Sequence, residues 1–128
     1  MRRWAVAWGP AATWAAVLFF LSSRPSVGVP LPNGLDKLAH LVAYLVLGLL
    51  LARAVSRLGL PPLSAIAIGW VYGFLDELHQ SFVPGRHAEV GDWIADALGV
   101  VLGVAIYFST PRLRDGHPGS ARAETTTT

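Results

Sequence analysis

The fold of this chain is decided by residues 38–54, which read LAHLVAYLVLGLLLARA. Within this stretch only His40 and Arg53 have side chains that can carry a charge near neutral pH. A helix needs about 20 predominantly apolar residues to cross the hydrocarbon core of a membrane. The stretch therefore predicts a membrane-spanning helix.

Three more apolar blocks flank this stretch, separated from it by Pro, Gly and Arg. Membrane spans joined by short loops have this pattern, whereas the helices of a soluble bundle carry polar stripes. The 128 residues are 53% hydrophobic and 14% charged, against about 25% charged in soluble domains. We therefore predict an all-α polytopic membrane protein, a compact bundle of four transmembrane helices with both termini in the cytoplasm. The predicted helices are residues 4–22, 38–54, 62–82 and 92–108, within a domain of residues 1–109.

Arginine positions predict the orientation, because cytoplasmic loops of membrane proteins are enriched in Lys and Arg. In a four-span topology the N-terminus, the second loop and the C-terminus share one side. The arginines on that side, which set the orientation, are Arg2, Arg3, Arg53, Arg57, Arg112 and Arg114.

Residues 110–128 lack apolar periodicity, and we predict a disordered cytoplasmic tail there.

Three of the apolar blocks are too short to span without their charged ends. Block three is uncharged only over residues 63–75, block four only over residues 97–108, and Asp36 and Lys37 interrupt the start of block two. A helix rises about 1.5 Å per residue, so these stretches do not cross about 30 Å of hydrocarbon. The topology places all three charged ends on the outer side. The sequence therefore predicts one polar basin that opens outward.

Polar residues at these ends recur at i, i+3 or i+4 and so share one face of each helix. In blocks three and four the polar face continues into glycines, which let membrane helices approach closely. We therefore expect the polar residues to face the centre of the bundle. These faces are Asp36, His40, Tyr44 and Gly48; Gly69, Gly73, Glu77 and Gln80; and Asp92, Asp96, Gly99 and Gly103.

Helix capping explains part of this set. Asp36 and Asp92 lie near predicted helix starts, where capping and function are equally open interpretations. Capping does not account for Asp76, Glu77 and Asp96, which lie beyond a first turn or near a C-terminal end. A carboxylate near the middle of a bilayer costs about 2.5–3.5 kcal/mol on insertion scales. We therefore interpret these three residues as functional.

Five short motifs occur in a fixed order within residues 14–106. They read Ser22-Ser23-Arg24-Pro25, Asp36-Lys37-x-x-His40, Tyr72-Gly73-x-x-Asp76-Glu77-x-x-Gln80, Pro84-Gly85-Arg86 and Asp92-x-x-x-Asp96-x-x-Gly99. This set resembles the VanZ-like family of bacterial membrane proteins, named for an accessory protein of teicoplanin resistance. The family pattern commonly has Asn at the position of Asp96. The resemblance implies a cell-envelope role in the bacterial cytoplasmic membrane, with glycopeptide resistance as the associated process.

These residues are compatible with an enzyme that acts at the outer face on a lipid-linked or glycopeptide-like envelope ligand. Glu77 or Asp76 would be the general base, His40 its acid–base partner, and Arg86 with Lys37 an anion clamp. A non-catalytic binder of an envelope precursor or drug is the alternative. A small proton-coupled transporter is less favoured, because the cytoplasmic half of the spans lacks ionisable residues.

The sequence also bears on the cofactors, partners and residues of the candidate site. No cofactor is predicted, and no metal site, because the carboxylates and His40 show no recognised metal spacing. The absence of cysteine excludes disulfides and thiolate chemistry. The predicted partner is the lipid bilayer with an envelope lipid or glycopeptide ligand; nucleic acid is not predicted, because the arginines form no basic patch. The candidate catalytic residues are Glu77, Asp76, His40, Asp36, Asp92 and Asp96, and the candidate ligand-binding residues are Arg86, Lys37, Gln80 and Ser23.

Overall fold

The structure, a computed structural model, describes residues 1–24 and 34–115. Four long helices and one short helix make up this part of the chain, which contains no strand. The prediction of an all-α bundle of four long helices is thereby confirmed. The helices are α1 (Arg2–Ser22), α2 (Leu35–Arg57), α3 (Pro62–Gln80), α4 (Val90–Ser109) and α5 (Pro111–Asp115).

Three of the long helices, α1, α2 and α4, are long and apolar enough to cross a membrane. The remaining helix, α3, has 19 residues, but its carboxyl end carries Asp76, Glu77 and Gln80. These three side chains are buried in the bundle, whereas Phe74 and Leu75 beside them are exposed. A large exposed apolar surface marks a contact with a membrane or a partner rather than with water. α3 therefore directs its apolar side chains outward, where lipid can contact them, and its polar side chains into the bundle.

Glycines bring α2 and α4 together as the most closely packed pair. A Cβ atom at Gly48 would lie 2.5 Å from the carbonyl oxygen of Val100, well inside contact distance. Cβ atoms at Gly99 and Gly103 would overlap carbonyl oxygens of α2 in the same way. Small residues permit such close approach in membrane proteins, so the glycine face predicted for α4 packs against α2.

The helix α3 packs onto this pair through its own glycine face. A Cβ atom at Gly69 would lie 2.6 Å from Cγ1 of Val100, and one at Gly73 would lie 3.3 Å from the ring of Tyr44. Gly73 also faces Asp96, with 3.4 Å between the added Cβ and the Cβ of Asp96. The acidic end of α3 is thereby held beside α2 and α4.

Hydrogen bonds attach α1 to the other helices. The indole Nε1 of Trp14 donates to the carbonyl oxygen of Ala43 at 2.9 Å. The hydroxyl of Tyr72 donates to the carbonyl oxygen of Ala15 at 2.5 Å. These bonds join α1 to α2 and α3 at the middle of the bundle.

Helix boundaries differ from the prediction by at most three residues, at both ends of the bundle: at the end opposite to the polar side chains α1 begins at Arg2 and α2 ends at Arg57, rather than at residues 4 and 54. α2 and α4 begin at Leu35 and Val90 rather than at residues 38 and 92, so Asp36 and Lys37 are helical. Gly34, with a φ of 94°, precedes α2 and allows the chain to turn into the helix there. α3 ends at Gln80 rather than at residue 82.

The region predicted as a disordered tail begins with a short helix, which is a correction to that prediction. Residues Pro111–Asp115 form α5, and Pro111 fits the first helical position because its missing N–H needs no partner there. The amide of Leu113 donates to the carbonyl oxygen of Thr110 at 3.1 Å. Residues 116–128 of the predicted tail, and the connector at residues 25–33 with Pro25 of the first motif, lie outside the described residues.

Candidate functional site

The polar residues gather at one end of the bundle, where α1 and α3 end and α2 and α4 begin. Arg2, Arg3 and Arg57 lie at the opposite end, around an open cavity of about 410 Å³. The polar end therefore lies away from the N-terminus and from the carboxyl end of α4. The buried polar side chains of the described part all belong to this end: Ser22, Asp76, Glu77, Gln80, Asp92 and Asp96.

His40 of α2 lies among three carboxylates that come from α3 and α4. Its Nδ1 atom is 2.7 Å from Oδ1 of Asp96 and 3.9 Å from Oε1 of Glu77. Its Nε2 atom is 3.9 Å from Oδ2 of Asp92. One imidazole therefore connects three helices, because both of its nitrogens face acidic side chains.

Lys37, one turn before His40, organises a second and more exposed acidic group. Its Nζ atom lies 2.9 Å from Oε2 of Glu89, 3.1 Å from Oδ1 of Asp92 and 3.6 Å from Oδ2 of Asp36. Asp92 belongs to both groups, since its second oxygen faces His40. The ammonium group of Lys37 is thus already surrounded by carboxylates of this chain.

Asp76 has its own hydrogen-bond partners. Its Oδ1 atom accepts a hydrogen bond from Oγ of Ser22 at 2.5 Å, and its Oδ2 atom accepts one from the hydroxyl of Tyr44 at 2.8 Å. Hydrogen bonds to a buried carboxylate offset the cost of removing it from water. Asp76 therefore links α1, α2 and α3 with both oxygens engaged.

Glu77, the next residue, is in the opposite situation. Its residue surface is 5% exposed, and neither carboxylate oxygen has a hydrogen-bond partner among the described residues. Oδ2 of Asp96, which is 1% exposed, also has none in this part of the chain. A buried polar atom without a partner carries a desolvation cost of about 1–3 kcal/mol, and more when it is charged. These oxygens are therefore candidates for binding a proton, an ion or a ligand.

An apolar cleft of about 240 Å³ runs between the polar ends of α3 and α4 and reaches Glu77. Its lining includes Phe74, Leu78 and Val90, whose side chains are exposed on the outside of the bundle. The indole Nε1 of Trp93 in its wall has no partner within residues 1–24 and 34–115. The cleft is lined by Phe74, Glu77, Leu78, Ser81, Ala88, Glu89, Val90 and Trp93.

Two predicted ligand-binding residues, Arg86 and Ser23, lie at the carboxyl end of α1. Nε of Arg86 donates to the carbonyl oxygen of Arg24 at 2.9 Å, and its Nη2 donates to that of Leu21 at 3.3 Å. A cation is favourable there because the carboxyl end of a helix carries partial negative charge. Ser23 lies with its hydroxyl 2.9 Å from Nε2 of His79. Arg86 therefore binds carbonyl oxygens at the end of α1, whereas Lys37 binds carboxylates. Gln80, the remaining residue predicted to bind a ligand, is buried.

Sequence reasoning missed several members of the site. Tyr44 lies on the predicted polar face of α2 but is not among the predicted site residues; it is buried, and its hydroxyl donates to Asp76. Its i+4 spacing from His40 was the available signal. Glu89 and Trp93 precede and follow Asp92, but nothing in their spacing showed that one binds Lys37 and the other lines a cleft.

Comparison with curated proteins found no match, and comparison with solved structures found none either. A sequence profile of the VanZ/LLP1 family matches residues 4–111, which run from the first turn of α1 to the start of α5. The matched residues include every side chain of the polar end described above. The family expected from the five motifs is thus confirmed, and the chain belongs to the VanZ/LLP1 family of membrane proteins.

Proposed function

We propose that this protein acts at the outer face of the bacterial cytoplasmic membrane on a lipid-linked ligand of the cell envelope. The observation that carries the proposal is the apolar cleft with the buried, unpartnered carboxylate of Glu77 in its wall. Binding sites typically combine apolar walls with a few convergent polar groups. An amphiphile fits this arrangement, with its chain in the cleft and its polar head at Glu77.

The size of the cleft favours a lipid-linked ligand over a whole glycopeptide. Its volume of about 240 Å³ is below the roughly 300–1,000 Å³ of pockets that enclose drug-sized ligands. A segment of an acyl or prenyl chain enters such a space, while a bulky glycopeptide stays outside. The exposed apolar side chains of Phe74, Leu78 and Val90 belong to the lining, so a lipid can reach the cleft from within the bilayer.

The hydrogen bonds of the site reduce the number of candidate reactive groups. Asp76 has hydroxyl partners on both oxygens, and Lys37 is paired with carboxylates. His40, Glu77 and Asp96 remain, with Glu77 facing both His40 and the cleft. An imidazole beside carboxylates is suited to acid–base chemistry on a polar head group.

The separation of charge along the bundle supports the outer face. Arg2, Arg3 and Arg57 lie at the end opposite to His40 and Glu77. Because Lys and Arg are enriched on the cytoplasmic side of membrane proteins, this placement supports an outward-facing polar end.

Photo-crosslinking of the protein in nanodiscs tests the proposal. The probe is a polyprenyl diphosphate sugar with a diazirine in its chain, and labelled peptides are mapped by mass spectrometry. We expect labels in residues 74–93. Ala88→Trp fills the cleft and should lower labelling about tenfold, as expected for a loss of about 1.4 kcal/mol of binding.

The matched control is Ala12→Trp, which fills a second apolar cavity of about 180 Å³ that has no carboxylate or histidine in its lining. This variant should keep wild-type labelling. Equal labelling of Ala88→Trp and wild-type protein would contradict the proposal. Conversion of the probe that stops in Glu77→Gln would identify an enzyme, whereas saturable labelling without product would identify a binder.

A further inference from the structure

Three potential metal ligands from three different helices converge below the cleft. They are His40 on α2, Glu77 on α3 and Asp96 on α4, and one donor atom of each lies within 4.8 Å of those of the others. We propose that these three side chains form a divalent-metal site. The proposal concerns residues also used by the proposed function, but metal binding does not require the lipid-linked ligand, so the two can fail separately.

A second observation points to an ion. The two oxygens of Glu77 and Oδ2 of Asp96 are buried, lack hydrogen-bond partners in the described structure, and belong to side chains that face His40. Buried polar groups in proteins are nearly always paired, and unpaired ones indicate a missing partner. A cation supplies that partner to both carboxylates at once.

The charges around the three residues support this assignment. Among the described residues, His40 is the one basic side chain within 4.0 Å of Glu77 or Asp96. Two ionised carboxylates therefore face at most one positive charge of the protein. Adjacent carboxylates in a low dielectric repel each other unless a proton or a cation lies between them. A divalent ion balances both.

The second acidic group gives a contrast. Asp36, Glu89 and Asp92 also bring three carboxylates together. Their common partner is Nζ of Lys37, which lies 2.9 Å from Glu89 and 3.1 Å from Asp92. Because an ammonium group already binds these oxygens, we assign no metal to that group.

The donor set selects the type of metal. One imidazole nitrogen with two carboxylate oxygens suits a first-row transition ion such as Zn²⁺, whereas Mg²⁺ and Ca²⁺ prefer oxygen ligands alone. Three protein ligands with a further position open is the arrangement of catalytic zinc sites. Since Glu77 also lines the cleft, an ion that it holds is within reach of a ligand bound there.

The test measures Zn²⁺ binding to purified, metal-free protein in nanodiscs without any lipid-linked ligand. After one equivalent of Zn²⁺ and desalting, elemental analysis should find one ion per chain, and Zn²⁺ should raise the Tm. Glu77→Gln and Asp96→Asn should each weaken Zn²⁺ binding by about tenfold or more. Asp115→Asn, an exposed carboxylate of α5, is the charge-matched control and should bind as wild type does.

Glu77→Gln is the decisive variant, because it breaks no hydrogen bond of the described structure and keeps the size of the side chain. If Asp96→Asn does not fold, a Co²⁺ titration of wild type and Glu77→Gln takes the place of that variant. The visible absorption of bound Co²⁺ should then be weaker in Glu77→Gln than in wild type. Wild-type protein that neither retains Zn²⁺ nor gains stability from it would overturn the proposal. Loss of Zn²⁺ in Asp36→Asn with retention in Glu77→Gln would do the same, since the ion would then lie in the Lys37 group.

Discussion

Replacing Gly99 with alanine should weaken the bundle and loosen the site together. The new Cβ atom would lie 3.0 Å from the amide nitrogen of Leu45 and 3.1 Å from Cβ of Tyr44, and it would overlap the carbonyl oxygen of Leu41. Ordinary van der Waals contact begins near 3.4 Å. Two of these three atoms are backbone, so no rotamer change relieves the overlap and α2 must move away from α4.

The size of the effect follows from two opposing terms. Overpacking a well-packed interior costs about 1–3 kcal/mol, and a rigid backbone contact favours the upper end. Alanine is favoured over glycine in a helix by about 1 kcal/mol. We therefore expect Gly99→Ala to lower the free energy of unfolding by about 1–2 kcal/mol.

Reversible unfolding in mixed detergent micelles, followed by circular dichroism, measures this difference. Gly9→Ala is the control, because a Cβ atom at Gly9 has nothing within 4 Å and should leave stability unchanged or slightly raised. The separation of α2 and α4 should also lengthen the 2.7 Å hydrogen bond between His40 and Asp96, which the ¹⁵N chemical shifts of the imidazole report. Equal stability of the two variants would refute the close glycine contact between α2 and α4.

Three further predictions concern the buried hydroxyl, the orientation and the tail. Tyr44→Phe should lower the free energy of unfolding by about 1.5–3 kcal/mol, because Asp76 loses a charge-assisted hydrogen bond. Tyr72→Phe, whose hydroxyl donates to a neutral carbonyl, should cost only about 0.5–1.5 kcal/mol, and denaturant titrations of both that reverse this order would contradict it. A reporter fused to the C-terminus should be active only if it is one that works in the cytoplasm, and activity of a periplasmic reporter would reverse the proposed orientation. Deletion of residues 116–128 should leave the Tm unchanged, because their sequence offers little apolar surface to bury; a large drop would show that they pack on the bundle.

The number and order of the long helices were predictable, because each depends on a local run of apolar residues. Their starts at the polar end were less so. Asp36 and Lys37 lie inside α2, although the predicted helix begins at residue 38. They tolerate that position because Lys37 binds Glu89, which precedes α4, and Asp92 in the first turn of α4. A pairing between residues so far apart in the chain cannot be predicted from the local sequence.

The gathering of the polar residues at one end was also predictable, since antiparallel helices joined in sequence share their ends. Which side chains meet there was not. His40, Glu77 and Asp96 come from three helices, so their spacing along the chain matches no known metal motif. Only the rotation of each helix about its axis, set here by the glycine contacts at Gly73 and Gly99, brings the three donors together.

The different hydrogen-bond partners of Asp76 and Glu77 could not be predicted from the sequence. The two residues are adjacent carboxylates, and from the sequence alone both are candidates for a general base. Consecutive residues of an α-helix point about 100° apart, so the two side chains meet different neighbours. Asp76 meets the hydroxyls of Ser22 and Tyr44, while Glu77 meets His40 and the cleft with both oxygens unpartnered in the described structure. The hydrogen-bond partners, which depend on the packing of α1 and α2 against α3, thus engage both oxygens of Asp76 and neither oxygen of Glu77 in the described structure.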